Sequence, residues 1–109
     1  MSQGSTTLTE ADDGKAVDLH VGDTVVVRLS ENPAAGYRWS VDGLDTQMAS
    51  VEEGEYVRQS DAVGSGGEAR WTVKAKMPGT TAIKLKLWRH FEGERSVQKR
   101  FAFTMTVKP

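Results

Sequence analysis

The stretch Phe101-Ala102-Phe103-Thr104-Met105-Thr106-Val107 puts a large apolar side chain at every odd position and a small or polar one between. Side chains along a strand alternate between two faces. This pattern therefore buries one face and wets the other, as in an antiparallel sheet with one solvated side. The same period of two recurs upstream. Ile83, Leu85 and Leu87 alternate with Lys84 and Lys86, and Trp71, Val73 and Ala75 alternate with Arg70, Thr72, Lys74 and Lys76. Tyr37, Trp39 and Val41, and before them Val25, Val27 and Leu29, repeat it again. No segment carries an i, i+3, i+4, i+7 stripe with caps, so little or no helix is expected.

Turn residues punctuate these runs at Asp12-Asp13-Gly14, Gly22-Asp23, Asn32-Pro33, Asp42-Gly43, Gly64 to Gly67, Pro78-Gly79 and Gly93. The expected strands are 7–10, 16–20, 24–30, 37–41, 48–58, 68–76, 80–89 and 97–107. Short strands at this spacing predict a β-sandwich or barrel. If every connection carries the chain from one end of the sandwich to the other, alternate loops share an end. Loops 31–36, 59–67 and 90–96 then lie together, opposite 21–23, 42–47 and 77–79.

The chain of 109 residues is read as one domain, 1–109, with about 1–6 frayed. Its 14 basic and 15 acidic residues give a net charge of −1, so no footprint for nucleic acid or an acidic membrane surface is present. No apolar run reaches the length of a membrane span. The absence of cysteine excludes disulfides, thiolate catalysis and cysteine-held metal. The polar segment Met1 to Thr7 is not read as a signal peptide. The compartment stays open: periplasmic or secreted if a leader was removed, cytoplasmic otherwise.

Catalysis is hard to assemble from these residues. His20, between Leu19 and Val21 at a wetted strand position, reads as a surface residue, and the one other histidine is His90. A serine nucleophile needs a histidine, an orienting carboxylate and an oxyanion hole. Ser65 in Gly64-Ser65-Gly66-Gly67 is no Gly-x-Ser-x-Gly elbow, and that loop lacks the Lys-Ser/Thr ending of a phosphate cradle. Glu52, Glu53 and Glu55 flank a glycine and read as a solvated edge that discourages sheet-to-sheet pairing. No catalytic residue, metal site or cofactor is expected.

Three loops read as a binding edge or as ordinary connections. In Asn32-Pro33-Ala34-Ala35-Gly36-Tyr37, Pro33 fixes φ and Gly36 permits a positive one, giving either a simple turn or a preformed loop that loses little entropy on binding. Gly64-Ser65-Gly66-Gly67 is nearly bare of side chains, so its backbone can approach another surface, unless it is only a mobile tip. Trp88-Arg89-His90-Phe91 brings rings and a guanidinium to a strand end, either as interface anchors or as core rings beside a solvated Arg.

Taken in order, these loops resemble the chagasin family of cysteine-peptidase inhibitors. That family carries Asn-Pro-Thr-Thr-Gly-Tyr/Phe, then Gly-x-Gly-Gly, then Arg-Pro-Trp. Here they are Asn32 to Tyr37, the intact Gly64 to Gly67, and Arg89-His90-Phe91, with Trp39 suited to the buried tryptophan of its strand. The resemblance runs from the turn at Val21 to the last strand. It implies an all-β, immunoglobulin-like β-sandwich of about seven to eight antiparallel strands. It further implies tight, reversible, non-covalent inhibition of papain-like cysteine peptidases by a monomer. The implied peptidase-binding residues are Asn32, Pro33, Ala34, Ala35, Gly36, Tyr37, Gly64, Ser65, Gly66, Gly67, Arg89, His90 and Phe91. Two departures stand out: Ala34-Ala35 replace Thr-Thr, and His90-Phe91 replace Pro-Trp. They leave room for a rival expectation, a non-inhibitory immunoglobulin-like module for a peptide, glycan or envelope partner, which would bind through a sheet face bearing Lys74, Lys76, Lys84 and Lys86.

Overall fold

Alternation makes the strands and the turn residues decide where they reverse. The computed structural model describes residues 5–31, 36–54, 57–58 and 67–109. Its strands are Ser5–Thr9 (β1), Ala16–His20 (β2), Thr24–Glu31 (β3), Arg38–Gly43 (β4), Ala49–Glu53 (β5), Val57–Arg58 (β6), Gly67–Ala75 (β7), Gly79–Trp88 (β8) and Lys99–Lys108 (β9). Among the described residues the helical pieces are two 3-10 turns, Glu10–Asp12 and Glu94–Ser96. None is long and apolar enough to cross a membrane.

The strands form two sheets. One has the order β1-β3-β7-β5, with β6 also on β7, and the other β2-β9-β8-β4. Between them lies the core that the alternation predicts. Val25, Val27 and Leu29 of β3 and Trp71 and Val73 of β7 face Ile83 and Leu85 of β8 and Phe101, Phe103 and Met105 of β9, all buried. Burying each such side chain is worth about 1.5–3 kcal/mol relative to leaving it wet. Trp39 of β4 belongs to the same core. Its indole Nε1 donates to the Ser30 carbonyl at 2.9 Å, so its one polar group is satisfied inside the sandwich.

Three features depart from the expectation. β1 pairs with β3 and β2 with β9 in parallel, so the strands are not all antiparallel. A period of two is common to both pairings, and side-chain parity alone cannot separate them. β1 also begins at Ser5, where Ser5 and Thr6 pair with Thr24 and Val25 instead of fraying. The expected strand 48–58 is interrupted after Glu53: Gly54 donates its N–H to the Arg70 carbonyl at 2.6 Å. A Cβ at Gly54 would lie 2.9 Å from that carbonyl oxygen, a clash that explains the glycine.

The lysines do not share a face. Lys74 lies on β7 in one sheet, while Lys84 and Lys86 lie on β8 in the other. Lys76 folds onto the Thr46 carbonyl at 2.8 Å, and Lys86 is buried. The parity that assigned them to wetted positions holds along a strand but carries no information about which sheet the strand joins.

Candidate functional site

Strand register brings three loops to one end. Glu31 at the end of β3 pairs with Gly67 at the start of β7, so the loop leaving Glu31 and the loop entering Gly67 share that end. In the other sheet Arg38 pairs with Trp88 and Leu87 with Lys99, which brings the return of the first loop beside both roots of the third. The grouping expected from counting reversals is thus present at the strand ends. His20 pairs with Lys108 at the far end of β9 from Lys99, away from these loops.

Of the residues expected in the site, Asn32, Pro33, Ala34, Ala35, Gly64, Ser65 and Gly66 lie outside the described residues. Gly36, Tyr37, Gly67, Arg89, His90 and Phe91 are described. Gly36 takes φ +83°, the left-handed conformation expected of it. An added Cβ there would be 3.4 Å from Arg89 Nε and 3.9 Å from Phe91 Cζ, so the first and third loops touch at this point. Arg89 completes the contact. Its guanidinium carbon lies 4.4 Å from the centre of the Tyr37 ring, within cation–π range. Its Nη1 reaches Glu92 Oε1 at 2.9 Å.

Beyond this braced pair the edge turns apolar. Phe91 is 69% exposed, which is unusual for a phenylalanine in a domain whose other two are buried. His90 meets it edge-on, with ring centroids 5.5 Å apart and planes at 85°. Trp88, by contrast, is half-buried on the outer face of the sheet, where its Nε1 donates to Ser40 Oγ at 2.6 Å. The third loop is therefore mixed. Its tryptophan is structural, its arginine is braced against Tyr37, and its phenylalanine projects.

Backbone bonds hold the third loop's shape. The Arg89 N–H donates to Ser96 Oγ at 3.0 Å. The Ser96 hydroxyl in turn lies 2.6 Å from the Gly93 carbonyl and 2.9 Å from that of Arg89. Gln98 donates its N–H to the Leu87 carbonyl at 2.8 Å and closes the loop base.

Sequence reasoning missed Glu31. Its side chain is only 3% exposed, and Oε2 accepts the Trp39 N–H at 2.9 Å, tying the two roots of the first loop together across the sheets. Arg38 Nε stands 3.7 Å from Oε1. The signal was available, because Glu31 continues the inward parity of Val25, Val27 and Leu29. Ser96 was also missed, and Lys86, expected at a wetted position, is instead buried and bonded to Glu94; nothing in their local pattern sets them apart.

Among the described residues no group of three or more His, Asp or Glu could hold a metal ion. What the described residues show instead is the roots of three loops gathered at one end of the sandwich, with Phe91 exposed there.

Comparison with known proteins agrees with that geometry. Residues 18–107 match the family described as Chagasin family peptidase inhibitor I42. Chagasin of Trypanosoma cruzi is 29% identical over 99 residues, covering 86% of this chain and 90% of that protein. The crystal structure of the cysteine protease inhibitor EhICP2 from Entamoeba histolytica superposes with a TM-score of 0.88 at 22% identity, covering 99% of both chains. PbICP-C, solved in complex with falcipain-2, superposes at 0.68 and 18% identity, covering 99% of this chain and 94% of that one. The family is one of inhibitors, not enzymes. With most of its length inside the family match and its whole fold shared, the chain belongs to the chagasin family of peptidase inhibitors.

Proposed function

We propose that the chain is a tight, reversible, non-covalent inhibitor of papain-like cysteine peptidases, and that its three clustered loops enter the peptidase cleft. One observation carries the reading: the roots of all three loops share one end of the sandwich, and Phe91 projects from it. A peptidase cuts a flexible, extended segment whose carbonyl reaches its nucleophile. A braced wedge fills the same cleft without offering such a segment, and it loses little conformational entropy on docking. Interfaces of this kind bury roughly 1,600 Å² in total. Family resemblance and the partner of PbICP-C, falcipain-2, support the choice of peptidase class.

In this reading Asn32, Pro33, Ala34, Ala35, Gly36 and Tyr37 lie nearest the catalytic Cys–His pair. Gly64, Ser65, Gly66 and Gly67 flank them on one side and Arg89, His90 and Phe91 on the other. Ala34-Ala35 delete two hydroxyls of the family pattern, each worth about 0.5–1.5 kcal/mol if it bonds to the target. Phe91 offers a smaller ring than tryptophan. Selectivity therefore shifts away from the family norm.

Titration of papain and of cathepsin-L-like peptidases should give stoichiometric to micromolar inhibition. Absence of inhibition of every papain-like peptidase at high micromolar inhibitor would overturn the reading. Replacing Gly66 by a bulky residue should weaken inhibition while leaving the folded domain intact. The four lysines named for the rival binding-module reading are divided between two sheets, so no single sheet face bears them all.

A further inference from the structure

The third loop stands on a charge cluster. Lys86 sits in β8 between Ser40 of β4 and Arg100 of β9, on an outer sheet face where a lysine is ordinarily wetted. Its side chain is nevertheless only 9% exposed. The Trp88 ring covers it, with Nζ 3.7 Å from the ring centroid. Nζ also lies 3.2 Å from Asp42 Oδ1, at the bulge in β4, and hydrogen-bonds Glu94 Oε1. Arg100 closes the cluster, reaching Asp42 Oδ2 at 3.0 Å and Glu94 Oε2 at 3.2 Å. Two cations thus meet two anions, and no net charge is left beneath the loop.

Glu94 is the junction between this cluster and the binding edge. It opens the 3-10 turn Glu94–Ser96, and Ser96 Oγ receives the Arg89 N–H. Arg89 in turn lies on Tyr37 and borders Gly36. An ion pair between two exposed, freely rotating side chains would position little. This one differs at its lysine end, which is fixed by a ring and two strands and is largely withdrawn from water.

We propose that Lys86 is a positioning residue for the inhibitory edge. Through Glu94 it fixes the turn at 94–96, and with it the orientation in which Arg89, His90 and Phe91 meet a peptidase. The proposal rests on the inhibitory reading above. It assigns Lys86 no contact with the target.

The test compares Lys86→Met, which keeps the stem and removes the charge, with Lys86→Arg, which keeps the charge. Amide hydrogen exchange over 89–96 and the papain association and dissociation rates are measured on the full chain. Lys86→Met should accelerate exchange over 89–96 by about tenfold or more while leaving β3 and β7 protected. It should also speed dissociation from the peptidase by about tenfold. Lys86→Arg should stay near the parent in both. Glu94→Gln, at a more exposed site, should repeat the Lys86→Met behaviour and serves as the reading if Lys86→Met fails to fold. Unchanged exchange, or faster exchange with unchanged dissociation, would overturn the positioning role. If the parent protein inhibits no papain-like peptidase, the inhibitory reading falls instead. Exchange alone then decides whether Lys86 orders the loop.

Discussion

At Gly36 the backbone takes φ +83°, and the first and third loops touch within the space a side chain would need. Phe91, a few ångströms away, is mostly in water. The two residues should therefore respond oppositely to replacement by alanine. Gly36→Ala forces a non-glycine residue into the left-handed region at a cost of about 1–2 kcal/mol, while its Cβ makes only ordinary contact with Arg89. Thermal denaturation should register this as a fall of roughly 4–8 °C per kcal/mol. Phe91→Ala removes a side chain that packs little, so stability should stay within about 0.5 kcal/mol of the parent. Inhibition should nevertheless weaken by about tenfold or more, as for an anchor ring. A Phe91→Ala variant that inhibits as well as the parent would show that the projecting ring is not an anchor.

Between β3 and β4 the chain leaves one sheet and enters the other, and Glu31 closes that passage by accepting the Trp39 N–H. Glu31→Ala would strand that amide inside the sandwich, at about 1–3 kcal/mol. The first loop should loosen with it. The expected readout is a lower melting temperature together with faster amide exchange at Trp39, and an unaltered Trp39 amide would rule the tie out. The strands themselves were legible from parity, down to the buried ring of Trp39. Their partners were not. Period two is the same for parallel and antiparallel neighbours, and it does not say which sheet a strand joins. The grouping of the three loops was legible because chain reversals can be counted. The brace of Arg89 on Tyr37 was not, since it depends on contacts between residues far apart in sequence.

Over the molecule as a whole, several carboxylates are held below their ordinary range. Hydrogen bonds from Arg28, and further from Arg70, outweigh burial at Glu68. Hydrogen bonds from Lys86, and then from Arg100, do the same for Glu94. Burial pushes Glu10 upward, but hydrogen bonds from Ser30 and the charge of Lys99 prevail and lower it. A carboxylate whose folded pKa is depressed stabilises the fold above its unfolded value, 4.5 for glutamate, and that contribution is lost as pH falls through the folded value. Melting temperature should therefore hold steady from neutrality down to about pH 5 and decline below it. A flat profile down to about pH 3 would mean these pairs contribute nothing. Lys86, raised chiefly by Glu94, has the opposite sign: its contribution is retained until pH rises beyond 10.5.

The strand order has one more consequence. β9 lies between β2 and β8, so the last strand in sequence is an inner strand of its sheet, and β2 has β9 as its paired neighbour. On the ribosome, β2 emerges more than 70 residues before the strand that completes it. β2 must wait for β9, whereas β8 already has β4 as a partner. Closure by so distant a partner is slow, and unpaired strand edges invite association with other chains in the interval. Until β9 is made, one sheet of the sandwich stays split between β2 and the β4–β8 pair, and the ten residues of β9 join the two only by threading between them.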